Sequence, residues 1–592
     1  MINLKIFYGS QTGNAQDVAE KVYRFSQNLP PKYASVKIGE MNDVAFDSLS
    51  QNDIFIFICS TTGQGDPPDN MKHFWQCVMK RSFNPNLSCL DFAVFGLGDS
   101  KYNKYNFIAK KLYRRLIQLK ANSMINIGLA DDQHSLGIDG EFSLWIKLLW
   151  KVLEDRLNKF ITVKNLFENC YTNAILEKYN IVVKDNGCLN GKLQTTNSNY
   201  DISSLCPSGF DVFTVKYNVP MTPISHFQDT RLIAFDNKNL KYDVGDVLSI
   251  YPQNSKIEVD LFFELTNLCR NTLLTIKRNL NFKIPSIFVS NSLSFENIVY
   301  YGLDLNSVPR KSFFEHFAFI SDDKVEKERL QELSDAENID ELYSYCFQPK
   351  RTIIEVLQDF PNTSKYINIS QWINLIPFIR PRDYSIASSN VVHNGEIQVL
   401  VSRVKYKTKM FNPRIGLCSN FLCDLKPSDI VFSRIKKGTL KFPDSYFPLI
   451  LISPGTGIAA FRGYICERML ANNIGQTLLC FGSRYKNRDF YFASEFKSFC
   501  KNNNFKLLTA FSREEKVYIQ DKLKEQSELI WKIIKEPSGF LFISGRSVDM
   551  PQQVHNEIKN IIIKEGGISE KEAANILNVM EKHKRYQIET WS

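Results

Sequence analysis

Residues 1–150 alternate between short apolar runs and amphipathic stretches, and three of the apolar runs end in a polar loop that carries glycine. The runs Leu4–Tyr8, Ile54–Cys59, Phe92–Phe95 and Met124–Gly128 have the length of strands. Between them, Ala15–Phe25, Asn70–Lys80 and Phe107–Leu119 have helical periodicity. Strands alternating with helices predict a doubly wound parallel sheet covered on both faces. Sheets of this kind bind ligands at the carboxyl ends of their strands, which is where the loops lie.

The first loop, Gly9-Ser10-Gln11-Thr12-Gly13-Asn14-Ala15, leads into a helix. Hydroxyls and free backbone N–H groups at a helix start suit a phosphate. The loop has no Gly-Lys-Ser/Thr, which disfavours a nucleoside triphosphate. The second runs from Ser60, Thr61, Thr62 and Gly63 through Pro67 and Pro68 to Asn70, tightly shaped by its glycines and prolines. The third is Gly96-Leu97-Gly98-Asp99-Ser100-Lys101-Tyr102-Asn103-Lys104-Tyr105-Asn106. It offers Tyr102 on a glycine-rich loop, where an aromatic side chain can stack on a flat ring. The turn Asp131-Asp132-Gln133 follows the next strand.

The periodicity changes twice further on. Residues 1–152 form the first domain, and residues 153–205, polar after Ile181, read as a linker. Short strands at Asp211–Val219, Thr230–Phe235, Val247–Ile250, Asp383–Ala387, Glu396–Ser402 and Ile430–Ser433 predict a β-barrel over 206–445, interrupted by a helical insertion over about 258–375. Alternating strands and helices return over 446–592. The fold class is therefore multi-domain, α/β at both ends with a β-barrel between.

Composition removes several function classes. No apolar run approaches the roughly 20 residues that span a bilayer, and the N-terminus lacks the pattern of a secretory signal. The 13 cysteines include no Cys-x-x-Cys, so no metal site is expected and reduced thiols in a cytosolic protein are. Most of the net charge of +10 lies beyond residue 150, where it is diluted, and clusters such as Lys110-Lys111 and Arg114-Arg115 are spaced to share a solvated helix face rather than to bind nucleic acid.

Two stretches of the last domain carry nucleotide chemistry. Ser453-Pro454-Gly455-Thr456-Gly457-Ile458-Ala459 follows an apolar strand and opens a helix, a turn whose N–H groups can cradle a pyrophosphate. Ser512, Arg513, Lys516 and Tyr518 gather a hydroxyl, a guanidinium, an ammonium and a phenol, a set suited to a dianionic 2′-phosphate.

The first three loops resemble those of flavodoxin-type FMN domains in diflavin reductases. That resemblance implies FMN phosphate binding by Ser10, Gln11, Thr12, Gly13, Asn14 and Ala15. Ser60–Gly63, Leu97–Asn106 and Asp132 would frame the ring and ribityl chain. Microsomal relatives place a Tyr where this chain has Thr62. Arg382-Asp383-Tyr384-Ser385 resembles the Arg-x-Tyr-Ser motif of ferredoxin-reductase-type FAD barrels, with Gly416-Leu417-Cys418-Ser419 as a second pyrophosphate loop and Arg351 as a further FAD contact. The resemblance further implies NADP contacts at Thr456, Ser512, Arg513, Lys516, Val517, Tyr518, Ile519 and Gln520. Ser385, Ser544, Glu589 and Trp591 would serve hydride transfer, with Trp591 as the aromatic lid over the flavin. Many relatives carry Cys in place of Ser544, an acid in place of Arg546 and Asp in place of Glu589.

The runs Thr61–Met71 and Asp131–His134 are similar to those of the soluble NADPH-dependent diflavin oxidoreductases of cytosolic iron–sulfur assembly. This implies electron flow from NADPH through FAD and FMN to an anamorsin-type protein with a two-iron, two-sulfur cluster. It also implies a cytoplasmic location, with mitochondrial association as an additional possibility. The residues leave open a different one-electron acceptor, such as a haem protein, and a flavin-stabilised scaffold without turnover.

Overall fold

The computed structural model describes the chain except residues 1, 28, 30–33, 47–52, 64, 103, 158–175, 186–204, 237–239, 281, 285–287, 289–292, 336–337, 472, 547–549 and 592. It divides into two compact units, Met1–Thr195 with Ser255–Phe378, and Thr196–Asn254 with Ile379–Ser592.

The first unit begins with a parallel sheet. Its central strands Ile2–Gly9, Asp53–Ser60 and Asp91–Gly98 lie side by side, Ala34–Glu40 flanks the first, and Asn122–Ser123 and Gly128–Asp131 both pair with the third. The chain changes direction between the first two central strands, which opens a crevice at their carboxyl ends. Continuous burial along Asp53–Ser60 and Asp91–Gly98 marks strands covered on both faces. On one face Phe55, Phe57, Phe92 and Val94 pack against the helices Lys72–Val78 and Phe107–Gln118. On the other, Phe95 meets Phe142 and Trp145 of the helix Gly137–Leu157. In place of the strand expected at Met124–Gly128 there are two short pieces, Asn122–Ser123 before it and Gly128–Asp131 starting at its last residue, and Ala34–Glu40 is an additional strand.

The helical insertion completes this unit. Ser255 with Glu258, and Thr352 with Glu355, form capping boxes that start the helices Lys256–Thr266 and Ile353–Asp359. Phe262, Phe317 and Trp372 join the helices at a shared aromatic core. A strand at Tyr179–Asp185, inside the segment expected as linker, pairs with Leu273–Arg278.

The second unit joins two sheets. An antiparallel sheet runs Arg382–Ser385, Val247–Tyr251, Ile430–Lys436, Asp211–Pro220, Thr230–Phe235, Ile397–Ser402. An antiparallel bridge between Ile386 and Val399 links the chain just past the first of these strands to the last. A parallel sheet runs Phe505–Phe511, Thr477–Ser483, Leu449–Pro454, Phe540–Arg546, Tyr586–Trp591. Leu232, Ala387 and Leu400 share one core with Phe461, Phe481 and Tyr491. Arg462 donates to Gln398 Oε1 (2.6 Å) and to the Ala387 carbonyl (3.2 Å). A Cβ on Gly463 would lie 2.2 Å from the Ser388 carbonyl oxygen, so the helix Ala459–Leu470 sits in backbone contact with the antiparallel sheet. The two sheets are thereby held in one unit.

Ten described cysteines are free, and Cys269 is disulfide-bonded, a departure from the expectation of reduced thiols throughout.

Candidate functional site

In the first unit, three loops meet at the carboxyl ends of the central strands. Gly13 turns the chain at φ +100° into the helix Asn14–Ser26, which has no side-chain cap. Its first N–H groups therefore lack the intrahelical partners they would have further along, the condition that suits a phosphate. Ser10 is buried; its Oγ accepts from Gly13 N–H (3.0 Å) and its N–H donates to Asn70 Oδ1 (2.8 Å). Gln11 exchanges hydrogen bonds with Asp69, tying the first loop to the second. Thr12 and Asn14 are exposed, and Ala15 is buried.

Ser60 Oγ donates to the Gly9 carbonyl (3.4 Å), and Thr61 Oγ1 accepts from Ile108 N–H (3.2 Å). Thr62 and Asp66 close a hairpin through Gly63, which is at φ +49°. In the third loop Leu97 is buried and Ser100 and Lys101 are exposed, while Gly98, Asp99, Tyr102 and Lys104 are half-buried. Asn106 is fully buried at φ +52° and donates to the Ala130 carbonyl (2.9 Å). A Cβ on Gly98 would meet the Asn106 nitrogen at 2.9 Å, so the loop closes only over glycine there. Tyr105 donates to the Leu129 carbonyl (2.7 Å). Asn106 and Tyr105 thus use their side chains to hold the loop, and Tyr102 is a second half-buried aromatic on it. Asn103 lies outside the described residues.

Asp131 and Asp132 differ in environment. Burial opposes the charge on Asp131, but hydrogen bonds from Ser100 and Gln133 lower its pKa. Burial, then Asp99, raises the pKa of Asp132, with Lys350 acting in the opposite direction. Arg351 also belongs to this unit, where its guanidinium donates to Asp359 (2.6 Å) and lies over the Tyr345 ring (4.3 Å).

In the second unit, Arg382–Ser385 pairs with Val247–Ile250. Arg382 is exposed and donates to the Arg380 carbonyl (2.8 Å); Asp383 pairs with Lys436 (2.7 Å). Burial pushes the Tyr384 phenol well above its ordinary range, with Cys418 adding to the effect, and burial raises the Cys418 thiol to about 11. Gly416 opens the helix Leu417–Asp424, which again has no side-chain cap. A Cβ there would strike Ser419 Oγ (2.8 Å) and Val404 Cβ (2.9 Å). Two helix starts, one in each unit, therefore combine a glycine turn with uncapped N–H groups.

Ser385, Ser544 and Glu589 come together although Ser385 and Glu589 are 204 residues apart in the chain. Ser385 Oγ donates to Glu589 Oε2 (3.3 Å), and Thr439 Oγ1 donates to Oε1 (3.0 Å). Ser544 is the strand partner of Glu589, and Arg546 that of Trp591. Burial raises the Glu589 pKa, partly offset by the bonds from Thr439 and Ser385. Ser544 and Ser453 are fully buried, and neither hydroxyl has a hydrogen-bond partner among the described residues. Gly457 lies between them: its added Cβ would be 2.1 Å from the Ser544 carbonyl oxygen and 3.1 Å from Ser453 Oγ. Buried hydroxyls are normally satisfied, so this pair at the strand ends fits a polar ligand. Trp591 remains 39% exposed.

Thr456 is half-buried on the same turn, beside Gly455 at φ +55°, whose Cβ position faces open space. Ser512 donates to the Ser483 carbonyl (backbone N–H, 3.0 Å). Arg513 and Lys516 are exposed and have no acidic partner among the described residues, Tyr518 is half exposed, and Val517 and Gln520 flank buried Ile519. Unpaired cations beside a phenol and a hydroxyl fit a phosphate dianion.

Sequence reasoning missed Thr439. The available signal for Thr439 was Gly438 before it, whose Cβ would lie 1.7 Å from the Gly245 carbonyl oxygen.

Residues 6–145 match the flavodoxin family, 224–421 the FAD binding domain family and 451–556 the oxidoreductase NAD-binding domain family. The chain is 39% identical over 599 residues to NADPH-dependent diflavin oxidoreductase 1 of Danio rerio, covering 99% of each. It is 34% identical over 598 residues to the protein of that name from Schizosaccharomyces pombe, covering 100% of this chain and 99% of the relative. The chain belongs to the NADPH-dependent diflavin oxidoreductases. It is an oxidoreductase whose cofactors are FMN, FAD and NADPH, and it passes electrons from NADPH through its flavins to an acceptor. Among the described residues no helix is long and apolar enough to cross a membrane.

Proposed function

We propose that this diflavin oxidoreductase delivers electrons to an anamorsin-type protein carrying a two-iron, two-sulfur cluster, in the cytoplasm, for iron–sulfur assembly. The acceptor rests on the loop runs Thr61–Met71 and Asp131–His134, whose residues are similar to those of the reductases that serve that pathway. Hydride donation by NADPH and single-electron release by flavin are the chemistry of the bound cofactors, and the protein supplies position and electrostatics.

The contact of Ser385 with Glu589, beside Ser544 and the Gly457 turn, carries the assignment of the hydride-transfer site. Glu589 holds Ser385 and Thr439 in fixed hydrogen-bond directions, and desolvation raises the pKa of its half-buried carboxyl. Ser544 and Ser453 offer hydroxyls to the nicotinamide end, while Arg513, Lys516, Ser512 and Tyr518 hold the 2′-phosphate. Arg382 and the N–H groups after Gly416 serve the FAD pyrophosphate, and Tyr384 and Trp591 serve its ring. The bridge between Ile386 and Val399 supports reading the antiparallel sheet as a closed barrel. The loops at Ser10–Ala15, Ser60–Gly63 and Leu97–Asn106, with Asp132, hold FMN.

Anaerobic mixing of the NADPH-reduced enzyme with the oxidised cluster protein tests the acceptor. Bleaching of the cluster that requires both flavins is expected. Flavins that reduce while the cluster stays oxidised would overturn this acceptor.

A further inference from the structure

The helical insertion reaches the loop read as the FMN phosphate site. Arg310 stands immediately before the helix Lys311–Ile320, and its Nη2 donates to the Thr12 carbonyl (3.0 Å) while Nε donates to Asn14 Oδ1 (3.2 Å). These contacts span nearly 300 residues of sequence, 298 for the Thr12 bond.

The rest of the interface explains why the guanidinium stays there. Ser312 Oγ donates to Asp17 Oδ1 (2.5 Å), and Arg24 Nη1 meets His316 Nε2 (3.0 Å). Arg24 also pairs with Glu315 (3.7 Å), with both side chains more than nine-tenths buried. The contacts advance together along both helices, from Asn14 and Arg310 to Arg24 and His316. Lys311–Ile320 therefore lies parallel to Asn14–Ser26 and fixes Arg310 at the start of the latter.

Arg310 itself has no acidic partner among the described residues. Its contacts on the loop are to a neutral carbonyl and a neutral amide, so its charge is not compensated. A guanidinium has five N–H donors in a planar fork matched to phosphate. An uncompensated cation held on a phosphate-binding turn raises the affinity of that turn for a dianion.

We infer that Arg310, supplied by the helical insertion, is a further binding residue for the 5′-phosphate of FMN. This rests on reading Gly9–Ala15 as the FMN phosphate loop. By linkage, phosphate in the loop also strengthens the seat of Lys311–Ile320 on Asn14–Ser26.

The test compares FMN with riboflavin, which has the same ring and no phosphate. Dissociation constants are measured by flavin fluorescence on the FMN-depleted full-length chain for the unaltered protein, Arg310→Ala, Arg310→Lys and Thr12→Ala, with circular dichroism checking the fold. Arg310→Ala is expected to weaken FMN about tenfold or more and leave riboflavin within twofold, with Arg310→Lys intermediate. Thr12→Ala should also weaken FMN selectively. Selective loss in Thr12→Ala with none in Arg310→Ala would overturn the role of Arg310 while keeping the loop. No selective loss in either variant would overturn the loop reading and the inference with it. Equal weakening of FMN and riboflavin by Arg310→Ala would overturn it as well, since a folding defect moves both.

Discussion

Gly457→Ala is the sharpest perturbation of the turn proposed to hold the nicotinamide end. The added Cβ would sit 2.1 Å from the Ser544 carbonyl oxygen and 2.7 Å from the carbonyl carbon, where ordinary contact begins at 3.4 Å. Relief requires the turn and the strand Phe540–Arg546 to separate by about 1.3 Å, the shortfall in that contact. Both obstructing atoms are backbone, so no side-chain rotation can supply the space. Overpacking of this kind costs about 1–3 kcal/mol. A displacement of about 1 Å at a reacting geometry lowers rate by roughly 100-fold. The assay is NADPH-dependent ferricyanide reduction, with FAD content and Tm measured on the same preparation. Gly455→Ala is the control, because its Cβ would meet nothing within 4 Å and only the positive φ opposes it. The reasoning predicts a large fall in kcat/KM for Gly457→Ala at full FAD content, and a much smaller one for Gly455→Ala. Equal behaviour of the two variants, or an unchanged kcat/KM and Tm in Gly457→Ala, would refute it.

Three further predictions follow from charge and packing. Burial raises the Glu589 pKa above its ordinary value of 4.5. The folded protein then holds more protons than the unfolded chain between those two pKa values, so this group's stability contribution, full below 4.5, is lost as pH rises through the folded pKa. Glu589→Gln should remove that loss, and Tm scans across pH should show it gaining on the unaltered enzyme as pH rises; a constant difference would count against this titration. Arg513→Ala should raise KM for NADPH by about 10- to 100-fold, the worth of a charge-assisted contact, while leaving NADH turnover unchanged; a parallel loss with NADH would contradict a 2′-phosphate role. Gly96→Ala, whose Cβ would lie 2.6 Å from Ala109 Cβ and 2.8 Å from Asn106 Oδ1, should lower stability by about 1–3 kcal/mol and weaken FMN binding, both read by fluorescence-monitored unfolding with and without FMN.

Much of the first sheet was legible because Asp53–Ser60 and Asp91–Gly98 are buried on both faces and so read as continuous apolar runs. Ala34–Glu40 was not, since its burial is broken and its Lys and Gly lack alternation. The loops were legible from glycine and hydroxyl spacing at strand ends. The pairing of Ser385 with Glu589 could not be read from spacing, because it depends on two sheets packing in one unit through Arg462 and Gly463. Thr439 escaped for the same reason: Gly438 must first bring its loop against Gly245. Arg310 carried no local signal, and only the packing of Lys311–Ile320 along Asn14–Ser26 reveals it.

Electrons from NADPH are expected to pass through FAD and then FMN before reaching a one-electron protein acceptor. One experiment strips FMN while retaining FAD, then compares reduction of ferricyanide with reduction of the oxidised iron–sulfur protein proposed as acceptor, under anaerobic conditions. The stripped enzyme should still reduce ferricyanide with NADPH, lose delivery to the cluster, and recover it when FMN is restored. Cluster reduction at an undiminished rate without FMN would contradict it.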